Sequence, residues 1–202
     1  MCGRFVIGGD FRDKLNELIA AEGIIYSGLP YQESGQDVFP SESSLVIHTG
    51  DRKLLAGEML WGFSNPYRKG LIINARAETV REKNLFADSI MNRRCLIPAS
   101  GFYEWDPYKA RFRFSHPDDE LLLLAGIYHE EHGAPDPHYT ILTTQANESM
   151  IPVHDRMPVI ISRDEIHPWL NDNEKLSDFL ERPQLQLVCE QDSGQIRMDF
   201  GL

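Results

Sequence analysis

At 202 residues, with 42% hydrophobic and 25% charged side chains, the chain can bury a large core and has the composition of an ordinary globular protein. No run of about 18 apolar residues is present, which excludes a transmembrane helix and a membrane partner. The net charge of −11 speaks against a general affinity for polyanions, but residues 50–114 carry 12 basic and 7 acidic side chains, so a polyanion is expected on that third alone.

Cys2 follows the initiator methionine directly. Removal of Met1 by an aminopeptidase is expected, because the next side chain is small. The exposed cysteine then carries an amine and a thiol on adjacent carbons, which together condense with an aldehyde to an imine and a thiazolidine. The amine has a reference pKa of about 7.7–8.0 and the thiol about 8.5, so both are within reach of neutral chemistry. The charges at Arg4, Asp10, Arg12 and Asp13 leave no apolar secretory core. Cys2, Cys95 and Cys189 form neither a disulfide framework nor a zinc spacing, so a reducing, cytoplasmic location is expected.

Asp10 is positioned to cap a helix in which Phe11, Leu15, Leu18 and Ile19 share a face and Gly23 ends the run. A turn-rich stretch through Pro30, Gly35 and Pro40 precedes a strand at 45–48. Gly50-Asp51 turns the chain into a second strand over 54–63, which contains Trp61-Gly62-Phe63. In 71–79 an apolar run gives way to Asn74, Arg76 and Glu78, which share one face if the segment is extended. A short helix over 85–91 leads to Arg93-Arg94 and a buried strand at 95–98. In Phe102-Tyr103-Glu104-Trp105, Glu104 lies between aromatics, a setting in which desolvation favours proton transfer.

Arg111 to Phe114 alternate basic and aromatic, and 121–128 and 139–144 read as buried strands. His154 sits in a polar loop beside Asp155 and Arg156. Ser162 and Glu165 have the spacing of a capping box for a helix to Leu170, followed by a helix over 174–180 and a strand over 185–189. No linker or repeat divides the sequence. Many short strands with few helices predict one α+β domain over 1–202 on mostly antiparallel sheet.

The blocks M-C-G-R-F, W-G-F, N-A-R-A-E-T, R-R-C-L-I-P-A-S-G-F-Y-E-W and H-D-R-M-P, in this order, resemble the SOS-response-associated peptidase (SRAP) family of abasic-site processing proteins. The resemblance implies an α+β domain with a barrel-like β core and flanking short helices. It also implies a groove for single-stranded DNA, or a single-strand/duplex junction, that holds an abasic site. Cys2 is implied as the residue that captures the sugar aldehyde in a thiazolidine DNA–protein crosslink. Asn74 is implied to orient it, Glu104 to shuttle protons and His154 to assist sugar ring opening. Weak strand cleavage by β-elimination and self-removal of Met1 are expected beside crosslinking.

Arg4 and Arg76 are the expected phosphate contacts and Trp105 the expected base-stacking residue, with Trp61, Arg93, Arg94, Arg111 and Arg113 as further candidates. No metal or cofactor is implied, and a monomer is expected. Three departures from the family pattern stand out. Asp37-Val38-Phe39-Pro40 replaces an Asn-x-Ala-Pro element, the 64–70 loop is short and offers only Tyr67, and the C-terminal segment is brief. Two rival readings are a cysteine peptidase or amidase acting on other proteins through Cys2, His154 and Asn74, and a non-catalytic single-strand-binding module in which Cys2 is incidental.

Overall fold

The computed structural model describes residues 2–26, 35–131 and 133–192. Pro30 of the turn-rich stretch lies outside them. The helix Phe11–Glu22 forms because Phe11, Leu15 and Leu18 bury one face, and it stops where Gly23 takes φ 63°. Asp10 occupies the capping position without capping. Its carboxylate is drawn instead to Lys14 one turn on, at 2.7 Å.

The hairpin Ser43–Gly50 and Lys53–Trp61 opens the main sheet, turning at Asp51 and Arg52, whose φ values of 50° and 62° suit a tight turn between right-twisted strands. The sheet continues antiparallel through Arg94–Ala99, Leu122–His129 and His138–Gln145. The last of these pairs in parallel with the end of Lys53–Trp61, His138 opposite Leu60 and Tyr139 opposite Trp61. The sheet therefore closes on itself, and the barrel-like core expected from the sequence is present.

Alternation along these strands explains why they read as unbroken apolar runs. Cys95, Ile97 and Ala99 face the barrel interior with Leu122, Leu124 and Ile141, whereas Leu96, Leu123, Ala125 and Leu142 face outward under Trp169, Phe179 and Ile90. Both faces are buried, so neither carries a polar stripe. Ile19 and Leu45 border both apolar clusters and join them.

From Ala99 the chain crosses at Ser100 into a second antiparallel sheet, ordered Val188–Gln191, Arg111–Ser115, Gly101–Trp105, Phe5–Ile7, Gln36–Val38. Gly101 is required at the crossing, since a Cβ there would lie 2.6 Å from the Phe114 carbonyl oxygen. This sheet lays the N-terminal strand beside the strand carrying Glu104, with Phe5 opposite Phe102.

Several boundaries differ from the sequence reading. The strand expected over 54–63 ends at Trp61, because Gly62 at φ 119° turns the chain into the short strand Phe63–Ser64. Asn74 and Arg76 lie on the strand Asn74–Arg76, but Glu78 falls in the 3-10 turn Ala77–Thr79 that follows. The three residues therefore share no strand face. The Ser162–Glu165 capping box is present and encloses the turn Arg163–Glu165, ahead of the helix Ile166–Asn171. The last helix is Leu176–Glu181 and the last strand Val188–Gln191, each shifted a few residues onward.

Candidate active site

Cys2 is buried, packed in the barrel interior with Phe5, Trp61 and Tyr139. For the second residue of a chain this is unusual, since termini are ordinarily exposed. Its carbonyl is held by Asn74, whose Nδ2 donates to Cys2 O at 2.9 Å. Asn74 is fixed in turn from the preceding residue: the Ile73 carbonyl accepts from Trp61 Nε1 at 3.0 Å and from the Ile141 amide at 3.2 Å. The Oδ1 of Asn74 is buried and has no hydrogen-bond partner among the described residues. The amide thus grips the backbone of Cys2 with its donor and keeps an acceptor available beside it.

Glu104 is 4% exposed, and its charge reaches the Cys2 thiol. Strand alternation puts it there: Phe102 and Glu104 point inward from Gly101–Trp105, while Tyr103 and Trp105 point outward. Burial, and after it the Glu104 carboxylate, push the thiol up to about 12, against the pull of the Arg4 backbone N–H. The thiol is therefore protonated at neutral pH. Glu104 is the carboxylate whose charge acts on it.

His154 stands on the turn that precedes the strand Arg156–Pro158, its Nδ1 accepting the Arg156 amide N–H at 2.9 Å with Asp155 Oδ1 at 3.1 Å. Met150 and Val153 of the same turn pack in the apolar cluster that contains Cys2. The Arg156 side chain ties this turn to the Asn74 strand. It donates to both carboxylate oxygens of Glu78, at 2.6 and 2.8 Å, and to the Thr143 carbonyl at 2.6 Å. The guanidinium holds the Glu78 carboxyl below its ordinary range. Nothing in the residue type marked Arg156 for this part; only its place in H-D-R-M-P hinted at it.

Outside the buried group lies an aromatic and cationic face. Trp105 is 38% exposed, and Arg76 is exposed on the strand beside Asn74. The Arg4 guanidinium lies 5.0 Å from the ring centres of both Phe39 and Tyr103, and Arg111 stacks on the same Tyr103 at 5.0 Å. Arg4 is ion-paired with Asp37, and Arg111 with Asp192 at 2.8 Å.

Two of the candidate DNA contacts belong to the interior instead. Trp61 is fully buried, stacked on Tyr139, and its indole N–H is committed to Ile73. It builds the wall behind Cys2. Arg94 is buried beneath the helices, donating to the carbonyls of Trp169 and Ile90 and to Asn173 Oδ1. Arg93 is paired with Asp88 and bonded to the Tyr128 carbonyl at 3.2 Å. It lies at the opposite end of the strand Arg94–Ala99 from the crossing to Glu104, roughly 20 Å away along six residues. Arg113 reaches the Ser100 carbonyl at 3.4 Å, at that crossing.

Among the described residues no helix is long and apolar enough to cross a membrane. The SOS response associated peptidase (SRAP) family description matches residues 1–196. The chain is 37% identical over 194 residues to the abasic site processing protein YoqW of Bacillus subtilis, covering 90% of this chain and 85% of that one. To YoaM of the same organism, also an abasic site processing protein, it is 35% identical over 193 residues, covering 90% and 84%. The abasic site processing protein YedK of Escherichia coli is 27% identical over 179 residues, covering 84% and 79%. A phage-related protein of known structure from Bordetella bronchiseptica superimposes with a TM-score of 0.75 over 96% of this chain and 95% of that one, at 22% identity, a likeness of fold.

Proposed function

Since the chain belongs to the SOS response associated peptidase family, we propose that it processes abasic sites in DNA by capturing the sugar aldehyde on Cys2. The reading takes Met1 as removed. The Cys2 amine attacks C1′ of the open-chain deoxyribose, and the carbinolamine loses water to give an imine. The thiol then adds across the C=N bond, sulfur to carbon and its proton ultimately to nitrogen, closing a thiazolidine. One water leaves in all, and nothing is oxidised or reduced.

Each residue has a part that its position supports. Glu104 takes the thiol proton as the S–C bond forms and delivers a proton to the departing hydroxyl. Asn74 holds the Cys2 carbonyl and offers Oδ1 to the amine. His154, whose Nδ1 faces the Arg156 amide and the Asp155 carboxylate, assists opening of the sugar ring. Arg76 and Arg4 contact flanking phosphates, and Trp105 stacks on a base of the single strand or junction. The same constellation would cleave the Met1–Cys2 bond. If the thiol fails to close, the imine permits β-elimination and weak strand cleavage.

The observation that carries this reading is the burial of residue 2 beside a carboxylate, with its carbonyl gripped by an amide. With Met1 in place, burial and then the Glu104 carboxylate push the thiol up to about 12, so its proton has to leave as sulfur reacts. The test is a denaturing gel of the protein with an oligonucleotide bearing one abasic site. A retarded covalent band is expected from the wild type, none from Cys2→Ala, and none with intact DNA. Equal bands from wild type and Cys2→Ala would overturn the assignment.

A further inference from the structure

Two cations of this face, Arg4 and Arg111, are already paired with carboxylates of the protein. Arg4 is pressed between the rings of Phe39 and Tyr103, and its outer nitrogen is bound to the Asp37 carboxylate. Its Nε is buried and has no hydrogen-bond partner among the described residues. The two side chains of the pair are 20% and 23% exposed, so the pair is partly shielded from salt yet reachable from solvent. Asp37 is delivered by the strand Gln36–Val38, which pairs with Phe5–Ile7 and sets Asp37 opposite Val6, two residues from Arg4. The arrangement recurs on Tyr103, where Arg111 is paired with Asp192. Both carboxylates also reach the Tyr103 phenol, and after burial they help raise its pKa.

A carboxylate on a guanidinium has the geometry and charge of a phosphate on a guanidinium. We propose that Asp37 is an internal phosphate surrogate: it competes with the DNA backbone for Arg4 and so sets the affinity of this face for single-stranded DNA. The inference deepens the DNA reading above and rests on it. In the resting protein Arg4 contributes little free charge, so intact single strands are held weakly. A phosphate positioned beside the lesion has to displace Asp37, or share Arg4 with it, before Arg4 counts toward binding. Asp37 therefore favours a strand held for long by the covalent bond at Cys2 over one held by charge alone.

The test uses the full chain and a labelled single-stranded oligonucleotide without a lesion, its binding followed by anisotropy across a series of salt concentrations. Wild type, Asp37→Asn, Arg4→Ala and the double variant are compared. The Asp37→Asn substitution keeps the shape and removes the charge, so Arg4 becomes available to phosphate and about one more phosphate is neutralised on binding. The expected result is tighter binding by Asp37→Asn, about threefold or more at the lowest salt. The slope of log K against log salt should steepen by about 0.7, the value for one phosphate of a single strand. In the Arg4→Ala background the same substitution should leave the slope unchanged. Asp37→Ser, which keeps the backbone pairing, should reproduce the steepening and guards against a folding defect peculiar to asparagine. Unchanged slopes in proteins that bind, or a steepening that persists without Arg4, would overturn the surrogate role alone. Failure of all four proteins to bind single-stranded DNA would overturn the DNA reading and the surrogate with it.

Discussion

Arginine occurs in two settings in this molecule, and they serve opposite ends. Arg94 and Arg182 lie behind the barrel. Arg94 donates to the carbonyls of Trp169 and Ile90, and Arg182 is clamped on Glu165, which also accepts from the Ser162 hydroxyl at 2.6 Å. These cations hold helices to the sheet. Arg4, Arg76 and Arg111 lie on or beside the strands around Cys2, where aromatic rings support Arg4 and Arg111 and the Asp37 and Asp192 carboxylates pair with them, while Arg76 is exposed. The lesson is that a basic side chain is placed by what occupies its donors. Backbone carbonyls make Arg94 structural, and a carboxylate itself fixed in a capping box does the same for Arg182, whereas an arginine on the strands around Cys2 stands where a phosphate could reach it.

The sharpest way to break this contrast is at the buried acid beside Cys2. Glu104→Gln is expected to slow crosslinking by about a hundredfold or more, the scale of a lost general acid–base group. In the same variant the Cys2 thiol should titrate lower, because the carboxylate that raises it is gone. Alkylation of Cys2 at fixed alkaline pH should therefore be faster while capture of the aldehyde is slower. If both rates fall together, Glu104 is merely structural.

Next in size is the difference between the two kinds of arginine. Arg94→Ala leaves buried carbonyls without donors and should lower stability by about 2–3 kcal/mol, read as a fall in the thermal midpoint. Its salt slope for DNA should be unchanged. Arg76→Ala should do the reverse, leaving the midpoint in place and reducing the slope by about 0.7. A variant that moved both readouts equally would erase the distinction between the two settings.

The smallest effect concerns acid. Arg182 first, and the Ser162 contacts after it, hold the Glu165 carboxyl at about 2 against an ordinary 4.5. Because the folded value is depressed, the stabilisation is present above about pH 4.5 and is lost as pH falls toward 2. Glu165→Gln should flatten that limb of the stability–pH curve, with crosslinking near neutrality unaffected. A curve of the same shape in both proteins would show that the clamp adds nothing to folding.

Much of this arrangement was legible in the sequence, for physical reasons that differ by residue. The runs at 95–98 and 121–128 read as buried strands because both faces are covered, which leaves no polar alternation to confuse them. Cys2, Asn74 and Glu104 stood out because a thiol at residue 2, an amide ending an apolar run and a carboxylate among aromatics each invite a reason. The structure puts these three together.

Side-chain type alone does not say which way a strand residue points, so the sequence leaves Trp61 as either surface or core and reads Arg94 as a surface cation. Trp61 ends its strand facing the barrel, and Arg94 is aimed under the helices. Glu78 was misplaced because the strand gives way to a 3-10 turn one residue after Arg76, a break no local glycine or proline announces. Asp37 read only as a departure from the family element. Its pairing with Arg4 joins residues 33 apart and depends on the sheet.

The central claim is that Cys2 bonds covalently to the abasic sugar with loss of one water. Intact mass of the protein after incubation with a single-stranded oligonucleotide carrying one abasic site tests it directly. Wild type should give a species lacking Met1, at the summed masses of protein and DNA less one water, with proteolysis placing the added mass on the N-terminal peptide. Cys2→Ala should give no such species. A chain that has lost Met1 and yields no adduct, or an adduct mapped elsewhere, would contradict the account.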